Sequence, residues 1–226
     1  MRVRVPLSFT NRDIHDIGTY LQSQNLKRVV IIGLSGMGKT SLFNMLCGTD
    51  DRVSKDALLC TGEEKEATCN LDDEQKCIVR DTGGFPEEGS ESFMTKLIPA
   101  RFRKSTTKEL QTRLEKLVKK KELHLLIYCM SADSRNKRKS HTIHYNMFKS
   151  VGAPVVVVIT NLELQDISSE SWWSKNERQL KEFGMNSSTR HACVTTLPIR
   201  DLTEKERPLH HVSCTKVKAL ISSNIL

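Results

Sequence analysis

An α/β fold, a mostly parallel sheet with helices on both faces in a three-layer sandwich, follows from three features of the sequence. Val29-Val30-Ile31-Ile32 is an all-β-branched run suited to a buried strand. It leads directly into a glycine-bearing segment, Gly33 to Thr40, and then into a helical pattern with Leu42, Met45 and Leu46. Short apolar strands then alternate with helical segments to the end of the chain, the pattern of parallel strands covered on both sides.

Taken in order, residues 1–27 read as an N-terminal leader, with Ser8, Thr10 or Asn11 available to cap a short helix from Asp13 to Leu21. Residues 28–226 form the main domain. The first helix runs from Lys39 to Cys47, with Gly48 as its natural stop. Residues 49–75 are polar and expected to move, with one edge strand near Ala67 to Leu71. Cys77 to Arg80 is a short strand ending in Asp81-Thr82-Gly83-Gly84. Glu109 to Lys120 is an amphipathic helix with Leu110, Leu114, Leu117 and Val118 on one face. A strand from Leu123 to Met130, a helix from His141 to Val151 and a strand from Val155 to Thr160 follow. A helix from Trp172 to Phe183, a strand from His191 to Thr195 and a helix from Val212 to Ser222 complete the series.

The segment Gly33-Leu34-Ser35-Gly36-Met37-Gly38-Lys39-Thr40 matches G-x-x-x-x-G-K-[ST] at every required position. A phosphate chain carries several negative charges and is held by a wrap of backbone N–H groups. Glycines permit the positive φ values and close approach such a wrap needs, and the helix N-terminus adds a favourable dipole. In this reading Lys39 reaches the β- and γ-phosphates, and the Thr40 hydroxyl ligates Mg²⁺. The strand before the motif and the helix after it supply its required context, so the fold is expected to be that of a P-loop NTPase.

Asp81 ends a strand where such domains place a carboxylate that supports the metal. In Asp81-x-x-Gly84 the glycine N–H is positioned to meet the γ-phosphate. Where many GTPases carry a water-orienting glutamine directly after that glycine, this chain has Phe85, so slow intrinsic hydrolysis is expected. Thr61 and Thr68 are both candidates to close over Mg²⁺ and the γ-phosphate, and Thr61, in Cys60-Thr61-Gly62, is preferred. The strand Val155 to Ile159 ends in Thr160-Asn161-Leu162-Glu163, which stands where GTPases read guanine with N/T-K-x-D. The carboxylate is kept as Glu163, but the lysine stem is replaced by Asn161.

This order of motifs, from the Gly33–Ser41 loop through Cys60-Thr61 and Asp81-Thr82-Gly83-Gly84-Phe85 to Thr160-Asn161-Leu162-Glu163, resembles the septin-related branch of translation-factor-type GTPases. That branch includes the immunity-associated and chloroplast-translocon GTPases. Trp172-Trp173 and His191-Ala192-Cys193-Val194-Thr195-Thr196 add similarity to stand-alone G-domain proteins. The resemblance covers about residues 28–222. It implies a G domain that binds GTP or GDP with Mg²⁺ and pairs with a second copy across the nucleotide face. It also implies that Thr195 and Thr196 flank the base. The candidate site is therefore Gly33, Ser35, Gly36, Met37, Gly38, Lys39, Thr40 and Ser41 for phosphate, and Thr160, Asn161, Glu163 and Thr195 for the base. Thr40, Thr61 and Asp81 are assigned to the metal, and Lys39, Thr61 and Gly84 to hydrolysis.

Bulk composition narrows the classes. A chain of 226 residues, 38% hydrophobic and 27% charged, fits one α/β domain that needs no disulfide or metal to fold. No apolar run approaches a membrane span. The N-terminus has no signal-peptide pattern and the C-terminus no lipidation box. Seven cysteines without C-x-x-C spacing read as reduced thiols, several of them buried, in a cytoplasmic protein. A zinc site is the alternative, and close-spaced ligand pairs for it are missing. The net charge of +8 concentrates in Arg101 to Lys121 and Arg135 to Lys139. No stacking aromatics are interleaved there, so a solvated face near a polyanionic ligand is expected rather than a nucleic-acid partner.

Of the other residues, Trp172-Trp173 reads as sheet packing before partner anchoring. His141 and His144 read as a helix face before a metal pair, and Arg135 or Arg138 as surface charge before an arginine finger supplied in trans. Three functions remain: a GTPase switch, a nucleotide-dependent assembly module that scarcely hydrolyses, and an ATP-using enzyme such as a small-molecule kinase. The effector is not legible.

Overall fold

The computed structural model describes residues 26–49, 65–82, 107–134, 138–164, 169–204 and 207–225. The expected leader helix, Thr61, Gly84, Phe85 and Arg135 lie outside them, and so does the side chain of Arg138. The described elements are β1 (Lys27–Ile32), α1 (Lys39–Cys47), β2 (Lys65–Asn70), β3 (Lys76–Asp81), α2 (Thr107–Lys119) and β4 (Leu125–Ser131). They continue with α3 (Arg138–Lys149), β5 (Val155–Thr160), α4 (Ser169–Glu182), β6 (His191–Cys193) and α5 (Arg207–Ser222). Short 3-10 turns lie at Leu162–Leu164 and Ile199–Asp201.

The strands form one six-stranded sheet in the order β2-β3-β1-β4-β5-β6. All neighbours are parallel except β2, which runs antiparallel along β3 with Cys69 opposite Cys77. β1 is therefore central, and the sheet grows outward from it in both directions. The connection from β1 to β3 travels one way and those from β3 to β4, β4 to β5 and β5 to β6 travel the other. With right-handed crossovers, α1 falls on one face and α2, α3 and α4 on the opposite face. Two helix contacts agree with this: α1 packs against α5, and α2 against α3.

Each element forms for a local reason. β4 is buried along its whole length and β5 along all but its first residue, because both lie inside the sheet with helices above and below. α2 buries Leu110 and Leu114 and leaves Lys108, Thr112, Arg113 and Lys116 exposed, the expected stripe. α1 ends at Cys47, where the Gly48 N–H returns to the Asn44 carbonyl at 2.9 Å. Trp172 and Trp173 are both buried, and Trp173 stacks on His191 with ring centroids 3.6 Å apart.

Three details depart from the sequence reading. β6 stops at Cys193, so Val194, Thr195 and Thr196 continue as a buried loop. α5 starts at Arg207, about a turn before the expected Val212. His141 and His144 do not form a solvated helix face; both are buried. His141 Nδ1 lies 2.9 Å from the Tyr128 hydroxyl and its Nε2 2.9 Å from Ser134 Oγ. Ser134 spends its own proton on the Ser131 carbonyl at 2.6 Å. The ring therefore donates from Nε2 and accepts the Tyr128 proton at Nδ1. His144 donates from Nδ1 to the Ser140 carbonyl at 2.7 Å. Both rings are satisfied core groups.

Candidate nucleotide site

The glycine-rich loop leaves the C-terminal end of the central strand and enters α1, the setting in which a helix N-terminus receives an anion. Gly33 and Gly38 both take positive φ, which strains most side chains, and at Gly33 the space for one is closed as well. Gly33 has φ +154°, and a Cβ added there would sit 2.4 Å from the Cys129 carbonyl. Gly38 has φ +74°, and its Cβ would meet Thr160 Oγ1 at 3.0 Å. The loop is held from below. Thr160 Oγ1 donates to the Met37 carbonyl at 2.9 Å, and the Cys129 thiol donates to the same oxygen at 2.9 Å. Burial pushes that thiol up to about 12, so it stays a neutral donor.

Lys39 and Thr40 open α1. The Lys39 side chain is buried and its Nζ donates to the Leu34 carbonyl at 3.0 Å, which lays the ammonium back across the loop. Thr40 Oγ1 donates to Asp81 Oδ2 at 2.8 Å. Asp81 itself is buried at the end of β3, next to β1 in the sheet, and Thr82 Oγ1 fastens that end to the Ile31 carbonyl at 2.8 Å. A hydroxyl and a carboxylate in direct contact are two hard oxygen donors beside the loop, which suits Mg²⁺ and does not suit a soft metal. Thr68 lies on β2 opposite Ile78, inside the sheet ladder.

A second cluster of polar residues gathers where β5, β4 and the loop after β6 meet. Asn161 is one of two described non-glycine residues with positive φ, at 59°. Its amide donates to Ser131 Oγ at 3.0 Å, and its Oδ1 accepts from Thr196 Oγ1 at 3.4 Å. Glu163 Oε2 accepts from the Thr196 N–H at 3.3 Å. The Thr195 N–H donates to Ser213 Oγ on α5 at 3.1 Å.

The structure thus brings together Gly33, Ser35, Gly36, Met37, Gly38, Lys39, Thr40, Ser41 and Asp81 on one side, and Thr160, Asn161, Glu163 and Thr195 on the other. Thr160 is wholly buried and committed to the loop backbone. Ser131, Ser213, Cys129 and Thr196 also hold the site in shape. Only Thr196 had a signal in the sequence; the other three are single residues in strands or helices with no spacing to mark them.

A glycine loop between a central strand and its helix, with a threonine–aspartate pair beside it, defines a P-loop GTPase domain. The chain belongs to the 50S ribosome-binding GTPase family, whose model matches residues 28–161. Among curated relatives, GTPase Der of Campylobacter concisus is 21% identical over 163 residues, covering 72% of this chain and 31% of that protein. Der of Vibrio parahaemolyticus is 40% identical over 68 residues, 29% of this chain and 14% of that protein. The chain spans about a third or less of the length of these relatives. Among solved structures, Aquifex aeolicus Era bound to GDP and aluminium fluoride gives a TM-score of 0.56 at 20% identity, over 76% of this chain and 52% of that one. A probable GTP-binding protein engB gives 0.58 at 14% identity, over 87% of this chain and 99% of that one. At these identities the structural likeness speaks to the fold.

Proposed function

We propose that this domain binds GTP and GDP with Mg²⁺ at the Gly33–Ser41 loop and works as a slowly hydrolysing switch or assembly module. The observation that carries the proposal is the 2.8 Å Thr40–Asp81 contact beside the loop that Lys39 spans. Lys39 would turn from the Leu34 carbonyl to the β- and γ-phosphates. Thr40 and Thr61 would ligate Mg²⁺ and Asp81 support it through water, while Gly84 senses the γ-phosphate. Bound Mg²⁺ would neutralise charge that builds on the phosphates during transfer. Glu163 would accept hydrogen bonds from the guanine edge, with Thr195 beside the base and Thr160 and Asn161 shaping the loop. The domain bounds, a leader over 1–27 and a G domain over 28–226, belong to this reading, as does a cytoplasmic site of action.

The finer assignment, to the septin-related branch with pairing across the nucleotide face, rests on the motif order and on Thr195-Thr196. GTP turnover per molecule across a wide dilution series tests it. A rate that rises with protein concentration supports pairing; a fast rate that stays flat on dilution removes both the slow-hydrolysis and the pairing proposals.

A ribosomal RNA partner is the second reading, favoured by the family description and the net charge of +8. An Era structure similar to this chain holds nucleotides 1506–1542 of 16S ribosomal RNA. That Era chain is about half covered here, at 51%. The expectation from the basic runs is instead a solvated face near a polyanionic ligand, with no nucleic-acid partner. A salt-dependent shift of a ribosomal RNA fragment by the purified chain would favour the RNA reading, and none at low salt would favour the solvated face.

A further inference from the structure

On the flank of α1 away from the phosphate loop, four of the seven cysteines converge from separate elements. Cys47 is the last residue of α1, Cys69 and Cys77 face each other across β2 and β3, and Cys214 lies on α5. The Cys69 thiol contacts the Leu46 carbonyl at 3.2 Å, beside Cys47, and the Cys214 thiol contacts the Met45 carbonyl at 3.3 Å. The Cys47 and Cys77 thiols lie near enough to Cys69 to bear on its ionisation. Lys218, one turn along α5 from Cys214, is close enough to favour the thiolate at each of the four. None of these cysteines belongs to the nucleotide site.

We propose that Cys47 and Cys69 form an oxidisable pair that hydrogen peroxide converts to a disulfide, joining the end of α1 to the edge strand β2. Cys47 is half-buried, so a small oxidant reaches it, whereas Cys69 and Cys77 are closed to solvent. Cys77 is held directly across the sheet ladder from Cys69, whereas Cys47 sits at a helix end with freedom to close. Contact with Cys47 and Cys77 draws the Cys69 thiol below the ordinary cysteine range and raises Cys47, so the charge of the pair rests mainly on Cys69. The minor form, with the proton on Cys69 and the charge on Cys47, is the one that meets peroxide, because Cys47 is the sulfur of the pair open to solvent.

The Cys47 thiolate then attacks one peroxide oxygen. The O–O bond breaks, hydroxide leaves, and Cys47 becomes a sulfenic acid. Cys69, losing its proton to that hydroxide, attacks the Cys47 sulfur; the S–O bond breaks and a second hydroxide departs, taking up a proton. Two thiols give up two electrons in all, and one peroxide becomes two waters. Among the described residues no group of three or more histidine, cysteine or acidic side chains has the arrangement of a metal site. The cluster is therefore read as redox chemistry, independently of whether the nucleotide proposal holds.

The test is peptide mapping of the full chain after graded peroxide, with free thiols blocked under denaturing conditions. The expected result is a Cys47–Cys69 linked peptide and two fewer blocked thiols, reversed by reductant and absent from Cys47→Ser. Circular dichroism of Cys47→Ser, expected to match wild type, shows that the variant folds. Cys214→Ser, which leaves the pair intact, should still give the linked peptide. All cysteines blocked after peroxide, a link at other positions, or zinc retained by the native protein in mass spectrometry would each overturn the proposal.

Discussion

Lys39 lies across its own loop, with Nζ on the Leu34 carbonyl. A nucleotide would offer that ammonium anionic phosphate oxygens in place of a neutral carbonyl, and the bond in which both partners are charged is the stronger. Lys39→Ala should therefore abolish measurable nucleotide binding while leaving the fold intact; calorimetry showing wild-type affinity would place the nucleotide elsewhere. Glu163→Ala should weaken GDP by about ten- to a hundred-fold more than ADP, the loss of a charged acceptor worth roughly 1.5–3 kcal/mol. Competition titrations with both nucleotides measure this, and equal losses would mean that the base is read by other groups. At this scale the phosphate loop was legible, because wrapping an anion demands glycine, lysine and threonine at fixed steps. Ser131 and Ser213 were not, since one serine hydroxyl meeting a distant amide leaves no period or spacing in a sequence.

Elements were legible where burial is one-sided or complete. The apolar runs of β1 and β5 and the leucine stripe of α2 announce themselves, and Gly48 marks the end of α1. The extra turn at the start of α5, with exposed Leu209 and Val212, has no such stripe to reveal it. The helix α3 is instructive for a different reason. His141 and His144 look polar in sequence, yet each is buried with its hydrogen bonds met inside the fold. Through Ser134 and Ser131, the His141 network reaches the Asn161 amide at the base loop. His141→Ala should destabilise the protein by about 2–4 kcal/mol, from a cavity plus the unpaired Tyr128 and Ser134 hydroxyls, read as a lower denaturant midpoint. An unchanged midpoint would remove the network as a structural support.

Between elements, α4 meets β6 through the Trp173–His191 stack. Burial, followed by the nearby Lys216 charge, holds His191 below the ordinary imidazole value, against the opposing hydrogen bond to the Thr189 carbonyl. A histidine whose folded value is depressed gives stability that is complete above its unfolded value of about 6.5 and is lost as pH falls through the folded one. The urea midpoint should therefore fall between about pH 7.5 and 5, and fall less steeply in His191→Phe, which keeps a ring on Trp173. Equal slopes would show that His191 does not carry the effect.

For the whole molecule, a sheet with β1 at its centre places both halves of the candidate site along one edge, the proposed phosphate groups after β1 and β3 and the proposed base groups after β5 and β6. The antiparallel edge strand β2 stands at the far side, where the parallel series ends. Motif order fixed the arrangement of these halves, but the orientation of β2 was not written in its alternation, which reads alike in either direction. If the missing catalytic group comes from a second copy, Arg135→Ala or Arg138→Ala should abolish the concentration-dependent part of GTP turnover, a loss of order 10³-fold for a true finger. A concentration-dependent rate unchanged in both variants would keep the pairing and discard these arginines.

The central claim is that the Gly33–Ser41 loop and the Glu163 carboxylate together hold a guanine nucleotide. Displacement of a fluorescent GDP analogue from the purified chain by GDP and by ADP, in Mg²⁺, tests it most directly. GDP is expected to displace the analogue at far lower concentration than ADP, and Lys39→Ala is expected not to bind it at all. Equal displacement by ADP, or binding that survives Lys39→Ala, would contradict it.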